Sequence, residues 1–128
     1  MKATDLMIGD YVRYTGSGYG DVKNGDIIKV ESVLGRYIGV GNNAMADDEL
    51  FEPIPLDSEI MNKFGFVCSY DDYHQWYIET NHSNLWLEQS RTEPHTYFMR
   101  VFNGIKVRYV HELQHALRLC GIEKTIEL

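Results

Sequence analysis

Apolar residues along this chain fall mostly in short β-type runs, and only two stretches carry the three-to-four-residue spacing of a helix. Tyr11-Val12-Arg13-Tyr14, the run Ile27 to Val33, and Tyr37-Ile38-Gly39-Val40 predict strands parted by glycine-rich or asparagine-rich turns. Glycines at 16, 18, 20, 25, 35, 39 and 41 suit a tightly curved sheet, whose corners need bulges and left-handed turns. Residues 1–53 therefore read as an SH3-like small β-barrel.

Glu52-Pro53-Ile54-Pro55-Leu56 marks the boundary, since each proline biases its predecessor toward extended backbone and gives no N–H to a ladder. Residues 54–128 read as an α+β unit. Asp57 is placed as the N-cap of a short helix with Ile60, Met61 and Phe64 on one face and Gly65 as its stop. An antiparallel meander follows over 66–69, 76–80, 85–89, 97–102 and 105–108. Its turns include Asn81-His82-Ser83-Asn84 and the hairpin signal Asn103-Gly104. A second helix runs from Tyr109 to Cys120, stopped by Gly121, and Ile122 with Ile126 suggests a returning edge strand. The expected architecture is thus α+β, with the N-terminal barrel packed on an antiparallel sheet that carries a short helix and a C-terminal helix.

A hydrophobic fraction of 44% with 24% charged residues is that of an ordered globular chain. The first ten residues hold Lys2, Asp5 and Asp10 and no long apolar stretch, so neither a leader nor a membrane span is expected. Cys68 and Cys120 lack metal-type spacing and read as reduced thiols, which places the protein in a cytoplasm. The net charge of -7 repels polyphosphate and makes nucleic acid the second alternative as a partner.

The conspicuous motif is His111-Glu112-Leu113-Gln114-His115. Histidines four apart on one helix face can share a tetrahedral zinc, and a neighbouring carboxylate can serve as general base. This gives the first alternative: a zinc-dependent hydrolase or metallopeptidase with His111 and His115 as ligands and Glu112 as base. Three points weigh against it. After His115 the only carboxylates are Glu123 and Glu127, and Arg118 and Gly121 stand where the extended HExxHxxGxxH pattern needs Gly and His. On a helical wheel Val110, Leu113, Ala116, Leu117 and Cys120 form a stripe roughly opposite His111, His115 and Arg118, which puts the imidazoles in water. The chain is also short for a two-lobed cleft. No cofactor is expected on the leading reading.

Weaker constellations are Gly16-Ser17-Gly18-Tyr19-Gly20, without the ending of a phosphate loop, and Asp71-Asp72-Tyr73-His74, which offers oxygen and imidazole ligands to set beside His82 or His95 but reads as a solvated acidic turn. Arg100, Lys106, Arg108 and Arg118, interleaved with Tyr97, Phe98, Phe102 and Tyr109, form the second alternative, a basic surface for nucleic acid in the last third of the chain. Tyr70, Tyr73, Trp76, Tyr77 and Trp86 make an aromatic cluster, with Trp76 and Tyr77 on opposite faces of one strand. The leading reading is a non-enzymatic binding or interaction module with a protein partner. Its contact surface is placed on the barrel's edges and loops, with Tyr14, Tyr19 and Tyr37 as candidate contacts.

Three blocks in order, Asp5-Leu6-Met7-Ile8-Gly9-Asp10-Tyr11-Val12, Pro53-Ile54-Pro55-Leu56 before a helix ending in Phe64-Gly65-Phe66, and Tyr109-Val110-His111-Glu112-Leu113-Gln114, resemble a family of small uncharacterised proteins of gut anaerobes, often associated with prophage or mobile elements. The resemblance implies a cytoplasmic bacterial or phage protein and brings no catalytic residue. It also implies that Gln is common at the position of Glu112, which does not suit a general base.

Overall fold

Among the described residues three antiparallel sheets and two α-helices carry the chain, an α+β architecture that is mostly sheet. The structure is a computed structural model and describes residues 1–18, 20–41, 44–80, 84–100, 104–122 and 127–128. The hairpin residue Asn103, the turn residues 81–83, and Phe102, Glu123 and Ile126 lie outside the described residues. The chain divides into two compact units, Met1–Ile54 and Pro55–Leu128.

In the first unit the strands are β1 (Tyr11–Tyr14), β2 (Ile27–Lys29), β3 (Ser32–Leu34), β4 (Tyr37–Gly41), β5 (Ala44–Asp47) and β6 (Phe51–Glu52). They form two three-stranded sheets, β2-β1-β6 and β3-β4-β5. The run Ile27 to Val33, expected as one strand, is two. Val30 N–H donates to the Asp10 carbonyl and Glu31 N–H to the Gly39 carbonyl, so the chain leaves one sheet and enters the other between them. Among the described residues the ladders do not close into a barrel. β5 escapes a pattern search because alanine and aspartate are poor strand formers. A 3-10 turn at Asp48–Leu50 connects it to β6, capped by Asp47, whose carboxylate accepts the Glu49 N–H at 3.0 Å.

Side chains of both sheets meet in one core built on Leu6, Val12, Tyr14, Val30, Ile38 and Phe51. Gly39 faces Ser32 across β4 and β3 so closely that a Cβ there would lie 2.0 Å from the serine Oγ. A side chain at 39 would push the Ser32 hydroxyl aside, so glycine suits the close approach of the two strands there.

The second unit opens with α1 (Ser58–Lys63), where the Asp57 carboxylate accepts the Ile60 N–H at 2.8 Å, as the N-cap role requires. Gly65, at φ 91, turns the chain out of the helix, and Phe66 N–H closes back on the Met61 carbonyl. The strands that follow are β7 (Val67–Cys68), β8 (Gln75–Glu79), β9 (Asn84–Gln89), β10 (Tyr97–Met99) and β11 (Lys106–Val107), paired in chain order as a meander. Strict alternation sends Trp76, Ile78, Leu85, Leu87, Tyr97 and Met99 into the core, while Tyr77, Trp86 and Phe98 point to the other face. The final helix is α2 (Val110–Leu119), with Val110, Leu113, Ala116 and Leu117 buried.

One expectation about α2 is corrected. His111 lies inside the unit, at 8% exposure, and His115 is half-buried, so the imidazoles are not on a solvated outer face. A helical wheel assumes one covered side. Here the incoming chain also lies along the helix entrance: Pro55 bridges Tyr109, and Leu56 N–H donates to the Arg108 carbonyl.

Candidate functional site

The HExxH residues sit as the helix requires, with the histidine rings in contact with neighbours and the Glu112 carboxylate serving the fold. The His111 ring stacks on Tyr109, with centroids 6.0 Å apart and planes 7° from parallel, and meets His115 edge-on at 5.7 Å. Glu112 turns back on its own helix. Its Oε1 accepts the N–H of Arg108 at 2.9 Å and of Tyr109 at 3.2 Å, the carboxylate half of a capping box. A carboxylate held at the helix N-terminus also gains from the dipole. To act on a water as a base, it would have to release both backbone donors. Among the described residues no three His, Cys, Asp or Glu side chains gather as a metal-binding group.

The tyrosines named as contacts separate. Tyr14 is a core residue at 3% exposure, edge-on to Phe51 at 5.6 Å, and offers no ring to a partner. The β-pattern that made it a strand residue also pointed its side chain inward. Tyr37 is 46% exposed beneath the Arg36 guanidinium, 5.9 Å from its ring centre, and Tyr19 lies outside the described residues. Tyr97, counted among the basic third's surface rings, is buried beside Trp76, and burial pushes its phenol up to about 12.

The basic residues are dispersed. Arg100 lies 5.4 Å over the Trp86 ring, itself 4.8 Å from Tyr77, on the outward face of the sheet. Lys106 lies 5.9 Å over Phe98 and pairs with Glu93 at 3.2 Å. Arg108 and Arg118 are exposed elsewhere.

The most unusual surface is the turn between β7 and β8. Tyr70 is 99% exposed and Tyr73 83%, although hydrogen bonds hold the backbone on either side of them. The Asp72 carbonyl accepts the Gln75 N–H at 3.0 Å, and its Oδ1 accepts the His74 N–H at 2.9 Å, an Asx-turn. Ser69 N–H donates to the Gln75 carbonyl at 2.7 Å, Gln89 N–H to the His74 carbonyl at 2.6 Å, and the Cys68 thiol to the Tyr73 carbonyl at 3.3 Å. Arg91 approaches Asp72 Oδ2 at 3.5 Å. The His74 N–H, with the His74 ring and Arg91 behind it, holds the Asp72 carboxyl below the usual carboxylate range. Burial, with Asp72 nearby, pushes the Cys68 thiol up, which suits an inert hydrogen-bonding group rather than a nucleophile. His95, thought of as a possible ligand with this turn, instead places Nδ1 2.6 Å from the Leu56 carbonyl, and His82 lies outside the described residues.

Sequence reasoning placed Tyr70 and Tyr73 in an aromatic cluster and missed their isolation. The signal was available in Asp71-Asp72, since an Asx-turn between strands puts its neighbours at a loop tip. Compared with known proteins, the chain matches no family, no curated protein and no solved structure.

Proposed function

We propose that the protein is a non-enzymatic binding module for a protein partner, with Tyr70 and Tyr73 as its anchors. The observation that carries this is a turn, hydrogen-bonded at Ser69, Asp72, His74 and Gln75, that leaves two phenol rings almost wholly in water. Tyrosine on a rigid turn supplies a large amphipathic contact at low entropic cost, because the backbone is already ordered and the side chain has two rotatable bonds. Such rings are typical centres of protein interfaces. The net charge of -7 favours a partner with basic groups over one with phosphates. The test is photo-crosslinking from position 70 in an extract of the source cell, repeated with the site at Tyr37. A partner crosslinked from 70 and lost in Tyr73→Ser supports the reading; equal crosslinking from both positions overturns it.

A second reading, nucleic-acid binding, draws support from the outward sheet face, where Arg100 and Lys106 flank Trp86 and Phe98 as stacking surfaces do. It predicts salt-sensitive retention on single-stranded DNA that Trp86→Ala abolishes. The zinc hydrolase reading asks for a third ligand and a carboxylate released from its cap, and has no comparable support.

We further infer an SH3-like fold for residues 1–53. The order β2-β1-β6 and β3-β4-β5, with one strand path crossing both sheets and a 3-10 turn before the last strand, supports it. No described helix is long and apolar enough to cross a membrane. A cytoplasmic site of action and membership of the prophage-associated family accord with two free cysteines and the three sequence blocks.

A further inference from the structure

We propose that Asn24-Gly25 is a site of covalent modification, a deamidation that the folded chain holds back and whose completion unfastens the connection between β1 and β2. Asparagine before glycine is the pair at which a backbone nitrogen attacks a side-chain amide most readily, because glycine has no side chain to block the approach. The Gly25 nitrogen gives up its proton and bonds to the Asn24 Cγ, the Cγ–Nδ2 bond breaks, and Nδ2 takes up a proton and leaves as ammonia. Water then opens the resulting succinimide at either carbonyl. One opening leaves aspartate at 24; the other leaves isoaspartate, with one more carbon in the backbone. Nothing is oxidised or reduced, and water is the sole co-reactant.

Both reacting groups are engaged in the fold. Asn24 Nδ2 donates to the Thr15 carbonyl at 2.8 Å and to the Gly16 carbonyl at 3.1 Å, which holds the leaving group in place. Gly25 N–H donates to the Tyr14 carbonyl at 2.7 Å, which keeps the proton on the attacking nitrogen. The turn that carries the pair is closed twice. Asp26 N–H donates to the Lys23 carbonyl at 3.0 Å, and the Asp26 carboxylate accepts the Lys23 N–H at 2.9 Å. Asn24 and Gly25 are nevertheless exposed, so water is at hand whenever these bonds open. The rate of reaction is then set by local opening.

The same amide fastens the connection. Thr15 and Gly16 follow β1 and Asn24 precedes β2, so one side chain ties the two ends together. Gly16 is buried against Tyr14, where a Cβ would run into the phenol. A carboxylate at 24 has no hydrogen to donate and sets negative charge against two carbonyl oxygens, with Asp26 two residues on. Isoaspartate does more, since its added carbon lengthens the turn from which β2 enters its register with β1, Ile27 opposite Arg13. The inference goes beyond the binding reading and draws nothing from it, because the site lies in the first unit and the turn 69–74 in the second.

The test is incubation of the whole chain at mildly alkaline pH, folded and in urea, with peptide mass mapping over time. Conversion at 24 should be roughly tenfold or more slower in the folded chain, the ratio that protection by local structure gives. Asn24→Asp, which reproduces one product, should lower protection of the Gly25 amide, relative to its intrinsic exchange rate, by about tenfold. Should that variant fail to fold, aged wild-type protein supplies the comparison, since converted and unconverted chains separate by mass during hydrogen exchange. Equal rates in the folded and urea-unfolded chain, or no conversion in urea, overturn the proposal. Unchanged Gly25 protection after conversion overturns it as well, because the amide would then fasten nothing.

Discussion

The entrance of α2 and the turn 69–74 hold the same chemical groups, imidazole, carboxylate and phenol, and dispose of them in opposite ways. At the helix the phenol of Tyr109 stacks on His111, His111 meets His115, and the Glu112 carboxylate caps the backbone. Ring faces and charged atoms alike are turned to neighbours within the unit. At the turn the carboxylate of Asp72 likewise serves the backbone, and His74 serves Asp72, but both rings are left out. A motif in the sequence shows which groups are present. The groups whose apolar surface the fold leaves uncovered show where a partner would gain by covering it.

The sharpest way to break this contrast is through the helix. If α2 is a structural element, Leu113→Ala, which truncates a side chain with no exposure, should lower stability by about 2–5 kcal/mol in denaturant unfolding. A loss below 1 kcal/mol would mean that α2 is peripheral and free to serve a metal.

A smaller effect belongs to Glu112. As a cap its removal in Glu112→Ala should cost about 0.5–2 kcal/mol, and Glu112→Gln should restore most of that, since a glutamine oxygen can accept the same N–H. A catalytic base behaves otherwise. Glu112→Gln would then leave stability alone and remove a hydrolytic activity, so one pair of variants separates the two roles.

Much of this was legible before any coordinates. The Asp57 cap, the Gly65 and Gly121 stops, both helices and all five strands of the meander followed from period and punctuation, because each depends on neighbours in sequence. The exceptions share a cause. Ile27 to Val33 breaks between two sheets through bonds to Asp10 and Gly39, Ala44–Asp47 becomes a strand through its partner β4, and the entrance of α2 is met by residues 55–56. Each is decided by a segment distant in the chain. The candidate site shows the same division. The polarity of Asp71-Asp72 located a turn, whereas the exposure of Tyr70 and Tyr73 depends on how β8 and β9 grip it.

The pH dependence of the turn sharpens the contrast from its own side. The folded Asp72 carboxyl titrates below its unfolded value, so its contribution is complete above that unfolded value, about pH 4. It is lost as pH falls through the folded value. Protection of the His74 amide, taken relative to its intrinsic exchange rate, should therefore fall as pH drops below about 4, and Asp72→Ala, which has no oxygen to accept that N–H, should remove the protection and its pH dependence together. Exchange at Leu113 should not follow, since the helix draws nothing from this carboxylate.

The smallest expected change in stability is the most telling for function. Tyr70→Ser with Tyr73→Ser removes two rings that touch water almost everywhere, so unfolding should shift by no more than about 0.5 kcal/mol. Solubility should rise slightly as apolar surface is lost. Crosslinking to the partner should nevertheless disappear, because hot-spot rings act by being buried at the interface and their truncation removes that gain entirely. Truncating a ring that the fold itself covers does the reverse: Tyr14→Ser, taken from the N-terminal core, should cost stability and leave partner binding per folded molecule unchanged. If instead Tyr70→Ser with Tyr73→Ser destabilises the protein by several kcal/mol, the rings support the fold, and the proposed anchor falls with the contrast that suggested it.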